Sequence, residues 1–541
     1  MRFISRRNSV SKLTLSTKLY QKDIRDILLS AVLFIFSYAP SPFGFLIYIA
    51  FIPQFYLYKR HKPGKAFLYG YLIGVIFNAI TLYWLFLYAG LGYAFIVCAN
   101  SLQFAIFGSL MSFIFAKNEK FALVSFPFLW TFLEYSRQFG DLAFNWLNIA
   151  YSQSYFLYLI QFVDITGYSG IVTWICLINI SIYILWENRQ NKLTMLRWGS
   201  VTLVLFLIPL LYGFSKLSEK SNADGISVSY IQPNIELNLK WNQKFLRKNL
   251  QILTTMTDSI MITNPDLVVW PETGIPYYLK DVTEDLNFLN QHIRQRNYHL
   301  LTGAIDFSHA NDHRLKHNAA YFFTPGDSNY YIYRKLQLVP IEEKIPYKEV
   351  LPEWLIEPFG DRLTPGDEAV TFHLELVPYK LRFNGEDWQV IGKQSGMRTF
   401  NVSAVICYES VYPNLVKRFF KRGTDLLTVI TNDSWFGYTS LPFQHLQAAV
   451  FRAIEQRSSI VRCANTGVSS FIDPYGRRFL DSHIFEKASA QKIIPFRLET
   501  TFYSKHGDLL SIFSGILVFC FLTLLALSSR WKVLSSFRWF N

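Results

Sequence analysis

Cys407 closes an apolar, β-branched run (Val402, Val405, Ile406) and is followed by Tyr408 and Glu409. Such a run reads as a buried strand, and Pro413 to Arg422 reads as a helix that Gly423 stops. A thiol at a strand-to-helix corner can point into a cleft. It would also lie near the positive end of the following helix, which favours the thiolate. A lone strand cysteine is more often a core residue, so nucleophilic chemistry requires a base and an oxyanion partner elsewhere. Glu272 follows Val268-Val269-Trp270-Pro271. A carboxylate just past a buried strand is partly desolvated, which raises its pKa and suits it to proton transfer. Lys335 ends the strand-like run Tyr330–Arg334, where a fixed cation would stabilise a thiolate and a tetrahedral oxyanion. Glu343 sits beside Glu342 in a loop bracketed by Pro340 and Pro346. Each residue also has a bland reading: a solvated glutamate, a surface lysine, two exposed carboxylates. Together they repeat one design, strand ends carrying Glu, Lys and Cys in chain order.

The elements that would position these residues alternate in type. Strands are expected at 226–231, 266–270, 299–305, 319–324, 329–334, 426–431, 459–463 and 467–472. Helices are expected at 241–262, at 282–297 with Thr283 as N-cap, and at 443–458. This is the pattern of a layered α/β domain. Residues 352–400 fit it poorly and read as inserted loops or arms.

The 541 residues are 51% hydrophobic and 17% aromatic, too apolar for an ordinary soluble enzyme of this length. Apolar stretches near the ~20 residues a bilayer requires occur at 26–40, 42–58, 66–87, 91–115, 121–137, 167–186, 197–215 and 509–528. Basic residues cluster in the short segments Lys59–Lys65, Lys117–Lys120 and Arg189–Lys192, and in Arg530, Lys532 and Arg538. If the spans alternate, all of these fall on the side of the basic N-terminus, the cytoplasmic side. The net charge of +14 is therefore read as membrane orientation, not as nucleic-acid binding. Five parts follow: a basic cytoplasmic tail (1–25), a bundle of about seven spans (26–215), a large extracytoplasmic domain (216–508), a last span (509–528) and a cytoplasmic tail (529–541). Phe144-Asn145-Trp146-Leu147, outside the membrane, reads as an aromatic belt. The five cysteines form no metal or disulfide framework. A structural Cys407–Cys463 bridge, which extracytoplasmic placement permits, is the rival reading of Cys407.

Trp270-Pro271-Glu272, Tyr333-Arg334-Lys335-Leu336-Gln337-Leu338-Val339-Pro340, Cys407-Tyr408-Glu409 and Thr431-Asn432-Asp433-Ser434-Trp435-Phe436-Gly437 with Gln444-His445 resemble the carbon–nitrogen hydrolase (nitrilase) superfamily. Within it they resemble the membrane branch of apolipoprotein N-acyltransferases, and the resemblance covers most of the chain. It implies an α-helical membrane bundle plus an extracytoplasmic nitrilase-like αββα sandwich. It places a general base on Glu272, a positioning lysine on Lys335, a nucleophile on Cys407 and supporting roles on Glu343, Tyr408, Glu409, Trp241 and Asn318. The family commonly has Phe-Gly where this chain has Ile341-Glu342. The implied reaction moves an acyl chain from a phospholipid, phosphatidylethanolamine for example, through a Cys407 thioester to the α-amino group of a diacylated lipoprotein. The setting is a bacterial inner membrane with the catalytic domain in the periplasm, with no metal or cofactor. The alternatives are a membrane-anchored amidase acting on C–N bonds and a non-enzymatic transporter or receptor. The latter would carry ionisable residues within its spans, where only Glu134 stands out.

Overall fold

The computed structural model describes residues 2–310, 313–356 and 362–528, so Arg530, Lys532 and Arg538 lie outside the described residues. Among the described residues, four helices are long and apolar enough to cross a membrane: Pro63–Thr81, Gly92–Phe115, Tyr168–Glu187 and Lys192–Ser218. Each falls on an expected span. The 42–58 stretch differs, forming a 3-10 segment Gly44–Ile49 and a nine-residue helix Ile52–Arg60. Pro40, Pro42 and Pro53 explain the break, because proline removes a helical donor and clashes with the preceding turn. Helix Arg2–Phe36 runs through both the expected tail and the first expected span. Helix Leu509–Ser528 packs against helix Glu119–Ser136, with the Phe121 and Phe521 rings 4.8 Å apart.

The second half is a two-sheet sandwich. The first sheet contains β1 (Asn222–Gln232), β2 (Leu267–Val269), β3 (Ile275–Tyr278), β4 (His299–Ala310), β5 (His313–Phe323) and β6 (Tyr330–Arg334). The second sheet takes β7 (Phe372–Leu376) at one edge, and β8 (Tyr379–Phe383) and β9 (Trp388–Lys393) return to extend the first. β10 (Arg398–Ile406), β11 (Leu426–Thr431), β12 (Ile460–Ala464), β13 (Ser470–Ile472) and β14 (Arg478–Phe479) complete the second sheet, and β15 (Ala488–Pro495) pairs with β1. The centre of each sheet is parallel, β1–β2–β4 in one and β10–β11–β12 in the other. Parallel strands buried on both faces read as continuous apolar runs, as Leu426–Thr431 does. The inner faces share one core of Val228, Leu267, Val269, Val405, Val429 and Val461. Helices Leu246–Ile260 and Thr283–Arg296 cover the outer face of the first sheet.

Three local expectations are corrected. The 241–262 helix is a short turn Leu237–Lys240, a 3-10 segment Gln243–Phe245 and helix Leu246–Ile260. Thr283 is the first helical residue, preceded by Val282 with no side-chain cap. The 352–400 stretch contributes sheet strands, adding β7 to β10 and β8 to β1.

The sandwich is fastened to the bundle by buried polar contacts. Arg457 Nη2 and Nε both donate to one Asp164 oxygen, Oδ2, at 2.6 and 3.1 Å, and Nη1 donates to Gln161 Oε1 at 2.6 Å. Hydrogen bonds between charged partners are stronger than neutral ones. The Phe144–Leu147 stretch is not a lipid-facing belt. Asn145, Trp146 and Leu147 are buried, and Asn145 Nδ2 donates to the Val411 carbonyl at 2.7 Å.

Candidate active site

Glu272, Lys335 and Cys407 line one cavity of about 340 Å³. Trp241, Asn318, Glu343 and Tyr408 line it too, while Glu409 lies behind its wall. The bundle supplies Trp84, Leu85, Tyr88, Phe144 and Trp146 to the same cavity. A second cavity of about 300 Å³ shares Leu85, Tyr88 and Glu342 with the first and continues to Phe95, Ile96 and Ala99 of the apolar helix Leu91–Phe115.

Glu272 sits on a turn after β2 and is buried, not a solvated loop residue. Its turn presses against Gly303 of β4, where a Cβ would lie 2.4 Å from the Thr273 nitrogen and 2.6 Å from the Glu272 Cα. Only glycine admits that approach. One Glu272 oxygen accepts from Asn318 Nδ2 at 2.7 Å, and the other accepts the Asn432 backbone N–H at 2.9 Å. Burial raises its pKa, and the nearby Lys335 partly offsets the rise. A carboxyl so placed is suited to proton transfer.

Lys335 Nζ lies 3.8 Å from Glu272 and 2.8 Å from Glu343. Burial opposes its charge, yet Glu343, Glu272 and Cys407 outweigh burial and hold the pKa above its usual range. It is a permanent buried cation. Asn318 Nδ2 bridges the two carboxylates, donating also to Glu343 at 3.2 Å. Glu343 accepts the Val339 N–H at 2.8 Å, so the loop carboxylate is tied to its own backbone and not free in solvent. Neighbouring Glu342 accepts from Tyr88 of the bundle at 2.8 Å, and burial together with Glu343 pushes its pKa up to about 7.

Cys407 leaves β10 with φ +51° and opens the 3-10 segment Cys407–Val411. A non-glycine residue in the left-handed region costs on the order of 1–3 kcal/mol and persists where the surroundings over-determine it. Thr273 and Ile341, next to the other two site segments, share this conformation at φ +46° and +71°. The thiol pKa is raised well above its usual value, by burial first and by Glu272 second. The expected thiolate stabilised by a helix end is thus replaced by a resting thiol that requires a base. All five cysteines are free, Cys463 included, whose Sγ faces the Ile231 and Val269 carbonyls in the inter-sheet core.

Glu409 accepts four donors: Tyr333 Oη at 2.7 Å, the Leu336 and Gln337 N–H groups at 2.7 and 3.0 Å, and the Ile406 N–H at 2.7 Å. It therefore ties the chain just after Lys335 to the residue just before Cys407. Tyr408 donates to the Ala143 carbonyl at 2.9 Å and stacks on Trp146.

Sequence reasoning missed two groups. Lys240 is buried and donates to the Glu272 carbonyl at 2.9 Å, and burial brings its pKa down to about 7. Its only sequence signal is its place beside Trp241. Asp433 and His445, with Cys407, bring three metal-ligating atoms within 4.8 Å of one another. Arg462 occupies that corner, 2.9 Å from Asp433 and 3.2 Å from His445 Nδ1. The guanidinium supplies positive charge beside two of the three, and it holds Asp433 down at about 2 against the effect of burial.

Residues 30–181 match the apolipoprotein N-acyltransferase N-terminal domain, and residues 227–491 match the carbon-nitrogen hydrolase domain. The chain is similar to the apolipoprotein N-acyltransferase of Rickettsia prowazekii, at 30% identity over 90% of this chain and 95% of that one. It is similar to that of Geobacter metallireducens, at 29% over 90% and 92%. It is also similar to that of Chlorobaculum tepidum, at 28% over 86% and 88%. With both domains matched and these relatives paired along nearly their whole length, the chain belongs to the apolipoprotein N-acyltransferase family.

Proposed function

We propose that this protein transfers an acyl chain from a membrane phospholipid to the α-amino group of a diacylglyceryl-modified N-terminal cysteine on lipoproteins, in two steps through Cys407. The observation that carries this reading is the wall the two cavities share. A carboxyl, a buried ammonium and a thiol face a space whose far wall is aromatic bundle surface, and a second cavity sharing part of that wall lies along an apolar helix. Acyl chains fit such a lining, whereas a small polar amide has no use for it.

In the first step Glu272 takes the Cys407 proton and the sulfur attacks the ester carbonyl. The Lys335 ammonium stabilises the oxyanion. The ester C–O bond breaks, and protonated Glu272 returns its proton to the leaving lysophospholipid alkoxide. In the second step the acceptor amine attacks the thioester, Glu272 takes a proton from the amine, and the C–S bond breaks as the amide forms. That proton then returns to the thiolate, restoring the resting thiol. Phosphatidylethanolamine is the donor we assign. The sandwich faces the periplasm from the inner membrane, with both termini in the cytoplasm, as the charge pattern of the short segments supports.

The test is mass spectrometry of the purified protein after incubation with phosphatidylethanolamine and no acceptor. A hydroxylamine-sensitive acyl mass on the Cys407 peptide, absent in Glu272→Gln, is expected. An unmodified Cys407 in active protein would sink the thioester reading and favour a small-substrate amidase.

A further inference from the structure

Two adjacent residues at the start of helix Leu441–Gln456 face opposite ways. Gln444 faces the bundle. Its Oε1 accepts the indole N–H of Trp84 at 3.2 Å and that of Trp146 at 2.9 Å. Its Nε2 donates to the carbonyls of Thr81 at 3.2 Å and Ala39 at 3.4 Å, and to Ser440 Oγ at 3.1 Å. His445 faces the nucleophile. Its Nε2 lies 3.0 Å from the Cys407 carbonyl and 2.9 Å from Ser410 Oγ, and Ser410 donates to the same carbonyl at 2.9 Å. On the other side of the ring, Arg462 is 3.2 Å from Nδ1. The Asp433 Oδ1 lies farther from the same nitrogen, at 3.4 Å. Because the Cys407 carbonyl only accepts and the nearer guanidinium only donates, Nε2 carries the proton toward Cys407 and Nδ1 accepts from Arg462. Burial and Arg462 both lower the His445 pKa, which keeps that neutral form. Trp146 touches both flanks of the nucleophile, its ring 5.2 Å from His445 and stacked 6.2 Å from Tyr408.

We infer that His445 is a positioning residue that holds the left-handed backbone of Cys407, and that Gln444 makes its placement depend on the membrane bundle. The inference rests on Cys407 being the nucleophile. The Cys407 carbonyl receives two hydrogen bonds, and a backbone in an unfavourable region keeps its shape only while such contacts persist. Release would turn the Sγ away from Glu272, and a misplacement of about 1 Å costs about a hundredfold in rate. The sandwich could then keep its fold while losing its nucleophile geometry whenever the seam at Trp84, Trp146 and Gln444 is disturbed. On this view the bundle completes the site as well as anchoring it.

The test is single-turnover acylation of Cys407 by phosphatidylethanolamine in the full-length protein, with rate and half-saturation measured separately. Wild type must form the thioester. If it does not, the proposed function fails and this inference falls with it. His445→Leu is expected to acylate about a hundredfold more slowly at unchanged half-saturation. His445→Gln, whose amide can donate to the same carbonyl, should recover to within about fivefold of wild type. Gln444→Leu should slow wild type about tenfold and add nothing in the His445→Leu background, because residues acting through one another are non-additive. Equal rates for His445→Leu and wild type would overturn the inference, as would equal losses in the Leu and Gln variants or additive losses in the double variant. Should His445→Leu fail to fold, Gln444→Glu decides. It keeps an acceptor for the two indoles and loses the amide donors, so slower acylation at unchanged half-saturation supports the coupling and the wild-type rate overturns it.

Discussion

On the first sheet, Glu272, Asn318, Lys335 and Glu343 hold one another, with one buried cation between two carboxylates and an amide bridging them. On the second sheet, Cys407 has no ion pair. Its corner is held by main-chain contacts: two hydrogen bonds to its own carbonyl and the Glu409 clamp on Ile406. The first half is set by charge balance and the second by backbone shape. Substitutions in the first should therefore change proton affinities while the fold survives. Those in the second should change geometry and stability together. Glu272 and Glu409 make the contrast plain. Both are buried glutamates with raised pKa values, but Glu272 opens onto the cavity while four donors saturate Glu409.

The largest effect is expected at the proposed base. Glu272→Gln keeps shape and burial but cannot accept a proton, so acylation in single turnover should fall by about 10³–10⁴-fold. One amide donor then faces the Asn318 or Asn432 N–H, so about 1–3 kcal/mol of stability should go with it, less than the rate loss represents. A variant within tenfold of wild type would remove Glu272 from the chemistry. Next is Lys335→Met, which removes the cation from between two carboxylates. A fall of about 10²–10³-fold in acylation is expected from the lost oxyanion stabilisation. The pH profile should move as well. Lys335 holds the Glu272 pKa down, so without it that pKa rises further and the acid limb of kcat/KM shifts to higher pH. A slower enzyme with an unmoved acid limb would separate Lys335 from Glu272. On the second sheet, Glu409→Gln swaps one of two accepting oxygens for a donor facing N–H groups. It should cost about 1–3 kcal/mol of stability, read from denaturant unfolding. A loss of activity without a loss of stability would put Glu409 in the first class and break the contrast.

Of the first half, Glu272 and Lys335 were legible in the sequence, because each closes a short apolar run, whereas Asn318 and the supporting role of Glu343 were carried by the family resemblance. All four line the same cavity. The second half was legible only at Cys407 itself, and there the helix-end argument misjudged the thiol. The helix proper begins only at Pro413, and burial, helped by Glu272 and only partly offset by Lys335, pushes the thiol up. Backbone shape leaves no such mark. The contacts of His445 and Arg462 with Asp433 cross between segments far apart in sequence, as does the reach of Glu409 to Leu336 and Gln337. The Phe144–Leu147 stretch has the composition of a membrane belt but packs on the sandwich, because Trp146 and Asn145 each find a buried acceptor there. Proline spacing, readable in principle, splits the 42–58 stretch.

The smallest effect expected is at Lys240, where the two kinds of control meet. Its amine touches only the main chain of Glu272, yet its charge also lowers the Glu272 pKa, as the weakest of several influences. That charge is present only below the Lys240 pKa of about 7. Lys240→Met fills the same space without the ionisable group. Below pH 7 the variant lacks a cation near Glu272, so the Glu272 pKa rises and the acid limb of kcat/KM moves to higher pH. Above pH 7 the wild-type amine is already neutral, so the electrostatic difference vanishes and the two profiles should run parallel, separated only by the lost hydrogen bond. The shift should stay below about one pH unit, a tenfold effect at most on the acid side, and smaller than that of Lys335→Met. A uniform loss at all pH values would mean that Lys240 acts through the backbone alone, and the electrostatic half of its role would be withdrawn.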